Sequence, residues 1–143
     1  MKMEIRRITD SYAVSPQISP EDCSALAAEG FTTVICNRPD TENPPELHSA
    51  AVEAAAQAAG LTFVDNPISG GGISQQNVAL QKETVDAATG PVFAYCRTGT
   101  RSTYVWAFGA AGTLPSDEII SAAGQAGYDL AGLRGQLDQM AGR

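Results

Sequence analysis

The residues best equipped to do chemistry stand together in one run, Tyr95-Cys96-Arg97-Thr98-Gly99-Thr100-Arg101-Ser102. Cysteine is nucleophilic as its thiolate, and positive charge or converging backbone dipoles can bring its pKa down to roughly 3.5–7.5. Gly99 permits a turn in which successive N–H groups curl toward one point and form an anion nest. A helix beginning just after it would add unpaired N–H donors and a partial positive charge. Cys96, at the centre, is expected to be charged at neutral pH. Arg101 offers a planar fork for two oxygens of a phosphate, sulfonate or thiosulfate group, which lysine would match poorly. Arg97, Thr98, Gly99 and Thr100 are read as the rest of the oxyanion cradle, and Ser102 as a hydroxyl donor to the thiolate or to a leaving group. The chemistry such a set performs is nucleophilic attack on an anionic substrate with a covalent intermediate on Cys96. An inert cysteine in an ordinary strand-to-helix turn is the plainer alternative.

For this to work a strand must deliver Cys96 and a helix must leave with Arg101. Apolar runs alternate with helical patterns along the whole chain, which predicts a mainly parallel sheet of four to five strands with crossover helices. A first strand is predicted from Ile5 to Thr9, continuing through Tyr12-Ala13-Val14, at a sheet edge. Ser19-Pro20-Glu21-Asp22 reads as a helix start and Gly30 as its stop. Phe31 to Cys36 reads as a buried strand broken by Asn37-Arg38-Pro39-Asp40. A helix over Pro45 to Ala59, closed by Gly60, leads to a strand from Leu61 to Val64. Ser74 caps a helix through Ala88, Gly90-Pro91 resets the chain, and Val92-Phe93-Ala94-Tyr95 is the strand that carries the nucleophile. Helices are predicted over Arg101 to Ala110, Pro115 to Ala126 and Asp129 to Met140. Ligands of parallel α/β sheets bind beyond the C-terminal ends of the strands, which is where Cys96, Arg38 and Asn37 fall; Arg38 is therefore a further oxyanion-binding candidate.

Composition narrows the partners. With 143 residues and 43% apolar content, one domain over 1–143 is expected to bury a full core. A net charge of −7 argues against nucleic acid and anionic membrane surfaces. No segment approaches the roughly 20 apolar residues of a membrane span, and the N-terminus lacks the apolar stretch of a secretory signal, so a cytoplasmic protein is expected. The three cysteines, Cys23, Cys36 and Cys96, form no C-x-x-C pair and no cluster with the one histidine, His48, so no metal and no cofactor is expected. Cys23 reads as a small core residue, Cys36 as structural with a resolving role left open, and His48 as a surface residue.

The loop resembles the C-x-x-x-x-R active loop of rhodaneses and, one residue shorter, that of protein tyrosine phosphatases. Tyr12-Ala13-Val14-Ser15-Pro16-Gln17-Ile18-Ser19-Pro20-Glu21-Asp22, Gly30-Phe31-Thr32-Thr33-Val34-Ile35-Cys36-Asn37-Arg38-Pro39-Asp40 and Gly127-Tyr128-Asp129-Leu130 are similar to the phosphatase-like domain of beta-lactamase hydrolase-like proteins. The resemblance implies a tyrosine-phosphatase-like fold close to that of dual-specificity phosphatases. It also implies a nucleophile at Cys96, an oxyanion-binding arginine at Arg101 and a cradle of amides from Arg97 through Ser102. In larger relatives this domain is joined to a metallo-beta-lactamase-like domain associated with persulfide oxidation, which implies a separate sulfur-oxidising partner here. Dual-specificity phosphatases place an acid just after the proline ending the third strand, whereas this chain reads Pro67-Ile68-Ser69. Asp65 is the substitute acid within reach in sequence.

The missing acid separates two reactions. Releasing an alkoxide from a phosphomonoester gains roughly 100-fold to 10,000-fold from a proton donor. Releasing sulfite from thiosulfate, or a thiolate from a persulfide, needs none. The shorter loop also suits a single loaded sulfur. Sulfur transfer is therefore the leading expectation, with phosphatase activity second and a non-catalytic anion-binding module third.

Overall fold

The computed structural model describes residues 3–69 and 71–142. Five strands form one sheet in the order β1-β2-β5-β3-β4: β1 is Arg6–Thr9, β2 Tyr12–Ser15, β3 Thr33–Cys36, β4 Thr62–Asp65 and β5 Val92–Tyr95. All neighbours are parallel except β1 and β2, which are antiparallel. The single first strand expected from sequence is thus a hairpin. Asp10-Ser11 reverses the chain, Ser11 N–H donating to Thr9 Oγ1 at 3.1 Å, a local bond that aspartate and serine turns favour.

The helices are α1 (Cys23–Ala28), α2 (Ser49–Ala58), α3 (Gln75–Ala87), α4 (Thr100–Ala110), α5 (Ser116–Gln125) and α6 (Arg134–Met140). Three predicted helices begin as 3-10 turns instead, at Pro20–Asp22, Pro45–Leu47 and Ala131–Leu133. Between the second of these and α2 the chain is extended at His48, ψ 154°, and Asp40 Oδ1 accepts the Ser49 N–H at 2.8 Å. A tertiary cap from a preceding loop therefore starts α2 four residues later than the proline implied. Gly30 and Gly60 end α1 and α2 at positive φ, as their positions predicted.

Alternate strand residues feed two cores, the period of two that a sheet imposes. Val14, Ile35, Val92 and Ala94 pack with Trp106, Ala107, Ile119, Ala123 and Leu137 of α4 to α6. Ala13, Val34, Cys36, Phe93 and Tyr95 pack on the opposite face with Cys23 and Leu26 of α1 and Val52 and Ala56 of α2. Among the described residues no helix is long and apolar enough to cross a membrane. In register, Ser15, Cys36 and Tyr95 align, with Asp65 opposite Cys36, so the four parallel strands end on one line. The segments after them, led by Pro16, Asn37, Asn66 and Cys96, meet at that edge.

Candidate active site

Cys96 leaves β5, the middle strand of the sheet, and its residue is wholly buried. Its N–H donates to Ser15 O at 3.4 Å, the Tyr95 carbonyl before it accepts from Asn37 N–H at 2.8 Å, and the Arg97 carbonyl accepts from Gln17 N–H at 3.3 Å. Neighbouring chains thus hold the loop's entrance on both sides. Gly99 stands in the left-handed region at φ 90°, ψ −8°, as N-cap of α4, and its N–H points to Cys96 Sγ at 3.1 Å. A Cβ at this position would also lie 2.1 Å from the Tyr128 hydroxyl, so both backbone conformation and space require glycine. The Thr98 and Thr100 hydroxyls bond each other at 2.9 Å at the loop's exposed rim, and Arg97 is exposed. The predicted turn is present, with one of its amides on the sulfur.

Arg101 is drawn back over this turn by a partner that sequence reasoning missed. Its Nη1 and Nη2 donate to the two carboxylate oxygens of Glu42 at 2.9 and 2.8 Å, and Nη1 also donates to Ile68 O at 2.6 Å. A guanidinium carries five N–H donors in a fixed plane. These contacts occupy the end-on pair and the outer Nη1 proton. The lateral pair, Nε–H and the second Nη2–H, is not taken up by Glu42 or Ile68. Glu42 therefore orients the fork. The Arg101 guanidinium is held above its usual pKa, first by Glu42, against the opposing effect of burial, with the Cys96 sulfur acting in the same direction. Glu42 is in turn held below the usual carboxylate range, chiefly by its hydrogen bond to Arg101.

Arg38 does not join the cradle. It braces Glu42 instead, through Nε to Oε1 at 3.3 Å and Nη2 to the Glu42 carbonyl at 2.9 Å, and reaches Gln17 Oε1 with Nη1 at 3.2 Å. Ser102 also departs from expectation. Its hydroxyl donates to Asn37 Oδ1 at 2.8 Å, so its proton is directed away from the donation to sulfur that the sequence proposed. Asn37 belongs to a buried amide cluster beneath the loop. Gln81 donates to Asn37 Oδ1 at 3.1 Å and to the Tyr12 hydroxyl at 2.9 Å, and it accepts from Asn37 and Asn66, each at 2.9 Å. Tyr12 closes the circuit by donating to Ser102 O at 2.7 Å. The one sequence signal for Gln81 was a glutamine whose helix turns it inward, which composition alone does not reveal.

Asp65, the substitute acid, ends β4 in register with Cys36 and accepts from Ser49 Oγ at 3.4 Å. Burial first, then Asp40, pushes its carboxyl above the usual range. Its bonding ties it to the start of α2 and not to the Cys96 loop, so the acid role read from sequence is not supported by its placement. Cys36 is buried with Tyr95, Phe93 and Cys23, its thiol directed at Arg38 O at 3.3 Å, and burial pushes it up to about 11. That setting makes a structural thiol and a poor resolving one. His48 is half-buried, with Nε2 3.1 Å from Asn43 O. The Gly70-Gly71-Gly72 run reads from the sequence as a flexible loop able to close over the pocket, and Gly70 lies outside the described residues.

The family described as "Beta-lactamase hydrolase-like protein, phosphatase-like domain" matches residues 4–113. A beta-lactamase hydrolase-like protein of Agrobacterium fabrum is 32% identical over 130 residues, which are 90% of this chain and 30% of that protein. One from Xylella fastidiosa is 28% identical over the same length. The chain thus spans under a third of the curated relatives it matches. A solved structure from Neisseria meningitidis, described as a candidate phosphatase, is 37% identical with a TM-score of 0.82, covering 97% of this chain and 99% of that one. PTPMT1, at 14% identity and a TM-score of 0.76, covers 97% of this chain and 94% of that one and shares the fold.

Proposed function

Since the chain belongs to the family of phosphatase-like domains of beta-lactamase hydrolase-like proteins, we propose that it is a thiolate-dependent sulfurtransferase loaded on Cys96. The small anionic donor is thiosulfate or a low-molecular-weight persulfide. The observation that carries this reading is the state of the carboxylates around the cradle. Glu42, the one bonded to Arg101, is held ionised and has no proton to give near neutral pH. Asp65 is bonded to Ser49 instead. An alkoxide leaving a phosphomonoester would depart unprotonated, whereas sulfite is a stable anion and needs no acid.

The Cys96 thiolate attacks the sulfane sulfur of thiosulfate, a new S–S bond forms, and the sulfur–sulfur bond to the sulfite group breaks with its electron pair going to sulfite. The lateral edge of Arg101 holds the sulfonate oxygens during this step. An acceptor thiolate then attacks the sulfane sulfur on Cys96 and restores the Cys96 thiolate. A metallo-beta-lactamase-like sulfur-oxidising activity is the proposed consumer of the transferred sulfur.

Hydrolysis of phosphomonoesters is the second reading, favoured by the phosphatase fold and by an arginine edge that suits a phosphoryl group equally well. It is restricted to aryl phosphates, whose leaving groups depart without a donor. Intact mass after brief incubation with thiosulfate, alongside release of phosphate from an aryl ester by the same sample, separates the two. The expected result is one added sulfur, absent from the Cys96→Ser variant, with slow or no phosphate release. Rapid phosphate release without a persulfide would establish the phosphatase. Neither product, with slow alkylation of Cys96, would leave an anion-binding module.

A further inference from the structure

Gly99 N–H and Thr98 C=O belong to the same peptide unit. In a trans peptide the two point in opposite directions, so fixing one aims the other. The N–H faces Cys96 Sγ at 3.1 Å, and on the far side the Thr98 carbonyl accepts the Tyr128 hydroxyl at 2.8 Å. No cis peptide occurs among the described residues. The residue carrying this amide is a glycine at φ 90°, and glycine adopts the mirror value about as readily. The 98–99 peptide is therefore free to turn over unless something outside the loop holds it, and a turned peptide would present a carbonyl oxygen to the sulfur in place of the N–H.

Tyr128 is built to hold it. Its N–H is bonded to Ala123 O at 2.9 Å at the end of α5, Gly127 before it makes the turn at φ 99°, and the Arg6 guanidinium lies 5.3 Å from its ring centroid. Arg6 is itself fixed by Glu4, Nη2 to Oε2 at 2.6 Å. The phenol oxygen sits over Gly99 so closely that a Cβ there would overlap it at 2.1 Å. Burial keeps this phenol protonated well past neutral pH, with Arg6 opposing, so that it remains a donor.

We propose that Tyr128 is a positioning residue for the nucleophile, its hydroxyl clamping the Thr98 carbonyl so that the Gly99 amide stays on the Cys96 sulfur. This rests on the reading of Cys96 as a thiolate nucleophile. Tyr128 acts on the sulfur through one peptide plane, its hydroxyl on the Thr98 carbonyl and the Gly99 N–H on Cys96 Sγ. Tyr128 stands between the end of α5 and the 3-10 turn at Ala131–Leu133, so the clamp is supplied by a segment outside the loop it steadies.

The test is the pH profile of Cys96 alkylation by iodoacetate, followed by intact mass, in the wild-type protein and in Tyr128→Phe. That substitution removes the hydroxyl and keeps the ring beneath Arg6. A hydrogen bond to an ionised sulfur is worth enough that its loss should raise the profile's midpoint by about one pH unit, an approximately tenfold loss of thiolate below the midpoint. Thermal unfolding midpoints of both proteins report on packing separately. An unchanged alkylation profile in a folded Tyr128→Phe protein overturns the clamp. If wild-type Cys96 itself alkylates only as an ordinary thiol, the nucleophile reading fails first, so the two failures are distinguishable. Should Tyr128→Phe not fold, difluorotyrosine placed at position 128 keeps shape and hydroxyl while lowering the phenol's pKa. The Gly99 amide proton should then move upfield as that phenol ionises, and a resonance that ignores the titration overturns the proposal equally.

Discussion

Glu42 decides what Arg101 can do. An arginine bound at its end to a carboxylate presents its lateral N–H pair in a fixed plane, and under the proposed function the anion meets a fork whose rotamer entropy has already been lost. Glu42→Gln should keep part of the hydrogen bonding and lose the charge. We expect about a fivefold fall in kcat/KM for the sulfur donor, in line with about 1 kcal/mol for a pair whose carboxylate is partly solvated. Steady-state kinetics with thiosulfate measure it, and unchanged kinetics would remove Glu42 from the site. The sequence hid this residue because nothing local marks it: Glu42 is four residues after Arg38, but its meeting with Arg101 spans 59 positions. The turn that joins Cys96, Gly99 and Arg101 was legible because it is written within one loop. Ser102 was legible in position and misread in direction, since the acceptor that claims its proton comes from another strand's end.

α3 is anchored by a buried amide as well as by apolar packing. Gln81 is its single fully buried side chain among the described residues, Val85 packs against the core from the same helix, and Leu80 stays exposed. All four hydrogen-bonding sites of that amide are engaged, joining α3 to the ends of β2, β3 and β4 and, through Tyr12 and Asn37, to the first turn of α4. Gln81→Leu should strand several buried partners at once and cost about 3 kcal/mol of stability, read from urea unfolding, because unsatisfied groups in a low-dielectric site are expensive. A loss within the noise of that measurement would mean that water replaces the amide. Elements defined by local signals were read correctly from sequence: β5, the glycine-stopped helices and the Ser74-capped α3, whose Asn77 N–H bonds Ser74 Oγ at 3.1 Å. The β1-β2 hairpin and the extended break at His48 were not. The first depends on strand pairing and the second on a cap contributed by Asp40.

For the molecule as a whole, the sheet fixes where charge accumulates and so how stability responds to pH. Asp65 and Asp40 are brought together at the start of α2, and Asp65 titrates above its ordinary value, from burial first and Asp40 next. A carboxyl raised in the folded state favours folding while protonated and opposes it once pH rises through its folded pKa. Asp65→Asn should therefore raise the thermal midpoint at neutral pH, and the gain should shrink as pH falls through the raised folded pKa and be gone below the ordinary aspartate value. The same variant should release phosphate from an aryl ester no more slowly than the wild-type protein, which separates Asp65 from an acid role; slower release by a folded Asp65→Asn protein would restore it as an acid. The fold class was accessible from composition and alternation, since buried parallel strands with crossover helices leave a pattern in any sequence. Which loops meet beyond the strand ends depends on strand order, and that order is absent from local pattern.

The placement of β5 in the middle of the sheet has one more consequence. The strand end that carries Cys96 is hydrogen-bonded on one side to Ser15 and on the other to Asn37, so it has no edge from which to fray. Local opening, which begins where backbone bonds face solvent, reaches this strand end only by separating the sheet. Heating should therefore release Cys96 from β5 only as the sheet itself comes apart.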